Sequence, residues 1–70
     1  MENEIVGIII KIYNNKGVIL GTDGNDYIFS KLDFLHDIKL ESKKKVIFKP
    51  SVFKIKNTLI YKATYISYID

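Results

Sequence analysis

"KGVILGTDGNDYIFS", residues 16–30, has the composition of a β-hairpin. Two short strands, 17–21 and 26–31, are centred on the apolar runs Val18-Ile19-Leu20 and Tyr27-Ile28-Phe29. Between them "TDGND" (22–26) places Asp-Gly at the centre of a turn, where glycine supplies positive φ at no steric cost. Side chains alternate between the two faces of a strand. Val18, Leu20 and Ile28 therefore share one side, and Ile19, Tyr27 and Phe29 the other. One register puts the first set outside and the second in the core. A slip by one residue reverses both.

Working outward, "EIVGIIIKIY" (4–13) reads as a first strand, nearly continuous in its apolar character, so covered on both faces for part of its length or strongly bent. Gly7 permits such a bend or a bulge. "NNKG" (14–17) supplies turn chemistry. After the hairpin, "LDFLHDIKLES" (32–42) shows no alternation and predicts a loop with one helical turn. A fourth strand starts near Lys44, with Val46 and Phe48 on one side. Pro50 cannot donate to a ladder and marks an edge or a bulge. "KIKNT" (54–58) turns the chain into a last strand, "LIYKATYISYI" (59–69). Five strands with a long connection between the third and fourth predict an all-β domain over residues 1–70, a small closed five-stranded antiparallel barrel. A closed barrel leaves no bare edge. An SH3-like barrel fits the same strand lengths. The expected core is Ile9, Ile19, Tyr27, Phe29, Val46 and Phe48.

Seventy residues make at most one domain. A chain of this length buries only about 60% of its unfolded surface, so the core is thin. There is no cysteine, which excludes disulfides and thiolate metal sites, and fits a reducing compartment. His36 is the single histidine, so no His-pair metal site is expected, nor any cofactor. The N-terminus, "MENE", is acidic where a secretory signal is basic. The following "IVGIII" is too short for a membrane span. The expectation is a cytoplasmic protein that does not engage membranes. Net charge is +3, and all eleven basic residues are lysine. Lysine presents a point charge to a phosphate but lacks the bidentate fork that reads guanine edges.

The order of these motifs resembles a cold-shock domain, an OB-fold module that binds single-stranded RNA and DNA. That family opens Gly-x-Val-Lys-Trp-Phe, followed ten residues after the glycine by Lys-Gly-Phe-Gly-Phe-Ile. Here Gly7 and Gly17 are ten apart, Ile9 stands at the Val position, and Lys16-Gly17 supplies the second motif. The family's third strand, Asp-Val-Phe-Val/Phe-His, finds its counterpart in "DYIFSKLDF" (26–34), after a turn one residue shorter. Leu40, Val46 and Phe48 match a Leu-x5-Val-x-Phe pattern, and "KATYI" (62–66) is similar to the family's closing Lys/Gln-Ala-x-x-Val. The similarity spans nearly the whole chain, carried by order and spacing rather than by any one motif.

The departures fall on the family's binding face. Lys11 stands at the exposed Trp and Ile12 at the neighbouring Phe. Val18 and Leu20 replace the two Phe of the Lys-Gly motif, with Ile19 at the Gly between them. Ile28 and Ser30 replace a Phe and a His, and Lys31 the aromatic that follows. Each base stacked on an aromatic is worth about 1–3 kcal/mol, so the loss of three or four platforms removes several kcal/mol of affinity. The resemblance thus implies weak, largely sequence-independent binding of single-stranded RNA or DNA through Lys11, Lys16, Val18, Leu20, Ile28, Ser30 and Lys31. Tyr13, Tyr61, Tyr65 and Tyr68 are alternative rings if they face the same groove. The competing expectation is an interaction module in which Val18, Leu20 and Ile28 bind a protein partner or a second copy.

Other groupings are better read as structure. Lys43-Lys44-Lys45 fits a solvated turn. Asp33, His36 and Asp37 resemble an acid/base trio with no nucleophile spaced to join them, so a surface loop is expected and no enzymatic activity.

Overall fold

The computed structural model describes residues 3–69. Five strands form in chain order, β1 (Ile5–Tyr13), β2 (Lys16–Gly21), β3 (Asp26–Ser30), β4 (Lys45–Ile55) and β5 (Thr58–Tyr68). A single 3-10 turn, Lys31–Asp33, follows β3. The strands close into an OB-fold-like barrel in the order β1-β2-β3-β5-β4.

One seam corrects the expectation of a wholly antiparallel barrel, because β3 meets β5 in parallel, Ile28 opposite Lys62. The reason is parity. Strands alternating in direction around a closed ring must be even in number, so five strands force one parallel pair. It falls at β3 and β5, which lack a direct hairpin. The segment 31–44 carries the chain across the barrel end, and β4 then returns beside β1.

The inner side holds the six residues expected there, Ile9, Ile19, Tyr27, Phe29, Val46 and Phe48, all at 3% exposure or less. Phe34, Ala63 and Ile66 complete the core. Phe34 is the plug of the segment that follows β3. Its ring meets Phe29 edge-on at 5.8 Å and Tyr68 at 5.3 Å, and its backbone forms a lone bridge to Ile66. The rest of 34–44 stays outside the ladders. Tyr68 tethers it by donating from its hydroxyl to the Lys39 carbonyl and accepting from the Glu41 amide.

The bulge in β1 lies at Ile10, not Gly7. Pairing with β2 steps from Ile9–Ile19 to Lys11–Val18, so Ile10 and Lys11 both face out and Ile12 turns in. Gly7 serves close approach instead, since a Cβ there would sit 2.6 Å from Ile19 Cγ2 and 2.7 Å from the Leu20 carbonyl.

The β2–β3 turn is closed by Gly24 at φ +88° and by Asp23, whose carboxylate accepts from the Asn25 amide and from the Tyr27 hydroxyl at 2.7 Å. The tyrosine bond holds the Asp23 carboxyl below its ordinary pKa, and burial of the Tyr27 ring pushes that hydroxyl above its own.

The strands β4 and β5 run further than the sequence suggests. They pair as far as Ile55 with Thr58 across a two-residue turn, with Lys56 and Asn57 both at positive φ, as tight hairpins require. Pro50 sits where β4 has passed its last β1 partner, Phe48 to Ile5, so its missing N–H faces an edge.

Candidate nucleic-acid interface

Residues directly opposite in neighbouring strands present their side chains on the same face. The pairings therefore lay out the outer surface of β1, β2 and β3 in rows. One row runs Lys11, Val18, Ile28, Lys62 across β1, β2, β3 and β5. The row nearer the β1–β2 turn is Tyr13, Lys16, Ser30. The row on the other side is Lys45, Ile8, Leu20, Asp26. Val18, Leu20 and Ile28 lie on the outer side, with Ile28 48% exposed and Ile19, between the first two, fully buried. The outward register holds.

Between the first two rows lies a groove of about 310 Å³, lined by Tyr13, Lys16, Gly17, Ile28, Phe29, Ser30 and Lys62. Lys11 Nζ stands 5.8 Å from the centroid of the Tyr13 ring. The groove thus has one half-exposed ring, two lysines at its rim and an aliphatic floor. Lys62 differs from Lys16 in having its charge compensated, since its Nζ lies 2.8 Å from Asp33 Oδ2.

Of the seven residues singled out from the sequence, Lys16, Ile28 and Ser30 line this groove, and Lys11 and Val18 continue the Ile28 row beside it. The other two stand at the margins. Leu20 lines an apolar cavity of about 430 Å³ with Val6, Ile8 and Lys45. Lys31 faces a cleft of about 440 Å³ of mixed lining behind the β1–β2 turn, with Asn14, Asn15 and Asp37 beside Ile12, Ile38 and Leu40. Ser30 also has a structural duty as cap of the 3-10 turn. Its hydroxyl accepts from the Leu32 amide, and the Ser30 amide donates to the Asp33 carboxylate.

The remaining groups divide in the same way. Tyr61 packs edge-on against Tyr27 at 5.6 Å, and Tyr68 is consumed by its tether, so neither offers a ring to the groove. Tyr65 is exposed on β5, away from the groove. Lys43 takes positive φ in a turn whose backbone is bonded to Ile9, and Lys44 pairs with Glu41 at 3.7 Å. Asp33 is engaged by Ser30 and Lys62, and His36 is exposed. Among the described residues no group of three His, Asp or Glu is placed to hold a metal.

Sequence reasoning missed two members of the outer face. Ile8 and Ile10 are 41% and 47% exposed, and they widen the aliphatic surface to Ile8, Ile10, Val18, Leu20 and Ile28. No family model matches the chain, and no curated protein matches its sequence.

Proposed function

We propose that this protein binds single-stranded RNA or DNA, with modest affinity and little base preference, across the outer faces of β1, β2 and β3. The observation that carries the proposal is the groove in which Tyr13 lies between Lys11 and Lys16, over an Ile28 floor. A ring beside lysines meets the two demands of a single strand, a surface for a base to stack on and cations for the phosphates. On OB-fold barrels this is also the face used for oligonucleotides. One ring in place of several predicts weak binding, and lysine without arginine predicts indifference to sequence. The resemblance to cold-shock domains points the same way. Titration of ¹⁵N-labelled protein with an oligopyrimidine at low salt tests it. Shifts should concentrate at Lys11, Tyr13, Lys16, Ile28 and Ser30. An unchanged spectrum at millimolar oligonucleotide would overturn the proposal.

A second proposal rests on a separate observation, the exposed Ile8, Ile10, Leu20 and Ile28 around the half-buried Val18 on the outer faces of β1–β3. Patches of this kind commonly mark a protein-binding surface. On this account the face holds a second copy of the chain. Concentration-dependent sedimentation that Ile28→Thr abolishes supports it, and a monomer at all concentrations rejects it.

A further inference from the structure

The cleft of about 440 Å³ behind the β1–β2 turn has an apolar floor and a polar rim. Ile12, Ile38 and Leu40 form the floor, all half-buried and packed against the core. At the rim, Asn15 comes from the β1–β2 turn, Lys31 from the end of β3, and Asp37 and Lys39 from the segment after the 3-10 turn. That segment is held in place. Tyr68 bonds the Lys39 carbonyl at 2.7 Å and the Glu41 amide at 2.9 Å, while Ile38 and Leu40 anchor it to the barrel. Yet among the described residues neither the Asp37 carboxylate nor the ammonium groups of Lys31 and Lys39 has a side-chain partner. A fixed wall with unengaged charges over an apolar floor is a preorganised site.

The cleft continues the groove of β1–β3. Lys16 and Ser30, which line the groove, oppose each other across β2 and β3. One residue further along, the Lys31 amide donates to the Asn15 carbonyl at 2.7 Å, and both residues line the cleft. A strand leaving the groove over the Lys16–Ser30 pair therefore meets Lys31 next, and then the apolar floor. The rim decides which base suits that floor. An ionised carboxylate only accepts hydrogen bonds, through two oxygens side by side. In a single strand the Watson–Crick edges of the bases are exposed. Guanine alone presents two adjacent donors there, N1–H and the N2 amino group. Adenine and cytosine offer one donor beside an accepting ring nitrogen, and thymine and uracil one donor between two carbonyls.

We propose that this cleft takes one guanine base of the bound single strand. Asp37 accepts from N1–H and N2–H, and Lys39 donates to O6. Lys31 meets the phosphate that joins this nucleotide to the one in the groove. Asp37 repels a phosphate, so the base and not the backbone reaches it. The inference rests on the nucleic-acid reading of the groove, and it adds a base preference at one position to a face that has little of its own.

The test is fluorescence anisotropy with a labelled oligothymidylate of about six nucleotides, within the span one OB fold accommodates. It is compared with the same probe carrying a single guanosine, or a single inosine, at one end or the other. At one of the two ends guanosine should tighten binding at least about fivefold. Inosine, which lacks the N2 amino group, should lose most of that gain. Asp37→Asn should also remove most of it, without weakening the thymidylate probe or lowering the melting temperature, since Asp37 is exposed. Equal affinity of the parent for every probe overturns the guanine site while leaving the groove intact. So does a guanosine gain that inosine or Asp37→Asn keeps in full. Asp37→Asn tightening all probes alike would reduce Asp37 to a charge that repels phosphate, and the site falls. Failure of the parent to bind any probe overturns both readings.

Discussion

Ile19 on β2 and Ile28 on β3 are the same residue on adjoining strands of one hairpin, with opposite surroundings. Ile19 is sealed against Gly7 and the core, and Ile28 is half in water between Val18 and Lys62. The contrast extends to the whole sheet. Its inner side carries Ile9, Ile19, Tyr27, Phe29, Val46 and Phe48, and its outer side Ile8, Ile10, Val18, Leu20 and Ile28. Hydrophobicity alone does not separate the two sets, whereas position in the pleat does. The inner set holds the barrel closed. The outer set contributes little to folding, so it is available to a ligand.

The largest expected effect tests that division directly. Phe48→Ala empties the centre of the core and should cost about 3–5 kcal/mol. A chain of this length has roughly 4–10 kcal/mol in total, so this change approaches unfolding. Ile28→Thr should stay within about 0.5 kcal/mol of the parent, as substitutions on an exposed face do. Urea denaturation followed by circular dichroism measures both. Comparable losses for the two variants would mean that Ile28 is core in solution.

Next in size is the restoration of rings. Val18→Phe, Leu20→Phe and Ile28→Phe together should raise oligopyrimidine affinity at least about tenfold, because each new ring stands outside the core and offers a stacking face. Ser30 is best left alone, since replacing it removes the cap of the 3-10 turn. A triple variant that folds and binds no better than the parent would show that this face does not carry the strand.

A smaller effect is electrostatic. If two or three phosphates meet Lys11, Lys16 and Lys31, the logarithm of affinity should fall with the logarithm of salt at a slope of about −1.5 to −2. Lys16→Gln should lower that slope by about 0.7. Lys62→Gln should leave it nearly unchanged, because Asp33 already compensates that charge. Anisotropy titrations at several salt concentrations separate the two lysines.

The faces of β3 were legible in the sequence because it alternates, with Asp26 and Ser30 polar at its ends, whereas β2, apolar from Val18 to Leu20, needed its pairing with β3 to choose between two registers. β1 was not legible. Its apolar run hides the bulge at Ile10, which breaks the alternation and turns Ile10 and Lys11 out together. Phe34 escaped for another reason, since a lone plug in an aperiodic segment has no period to betray it. The extended β4–β5 pair was obscured by Pro50 and by lysines that resemble a broad turn, although Asn57 was a signal for a tight one. The parallel seam needed only the parity of five strands. Strand alternation and the family likeness pointed to Lys16, Ile28 and Ser30, which line the groove, and to Lys11 and Val18 in the row beside it. Among the four tyrosines named as alternative rings, the sequence could not tell which faces the groove, because that depends on the bulges in β1 and β5.

The smallest effect concerns Tyr27, which joins the two sides, its ring in the core and its hydroxyl reaching Asp23 at the turn. The folded state lowers the Asp23 pKa, chiefly through that hydrogen bond. Its contribution to stability is therefore complete above the unfolded value near 3.8 and is lost as pH falls through the lower folded value. Tyr27 is shifted the other way, chiefly by burial. Its contribution is complete below the unfolded value near 10.0 and is lost as pH rises through the higher folded value. Between these limits the pair adds a flat increment. Asp23→Asn retains an oxygen to accept the tyrosine bond but removes the titrating group. Its stability should fall less steeply than the parent's below pH 3.8, and its alkaline decline should be shallower too, because the Asp23 charge adds to the burial that raises the Tyr27 pKa. Ile28→Thr, remote from the pair in character though next to Tyr27 in sequence, should reproduce the parent's curve at every pH. Denaturation midpoints collected across the acid range decide the matter. Identical acid flanks for Asp23→Asn and the parent would show that the Tyr27–Asp23 bond does not tie the turn to the core in solution.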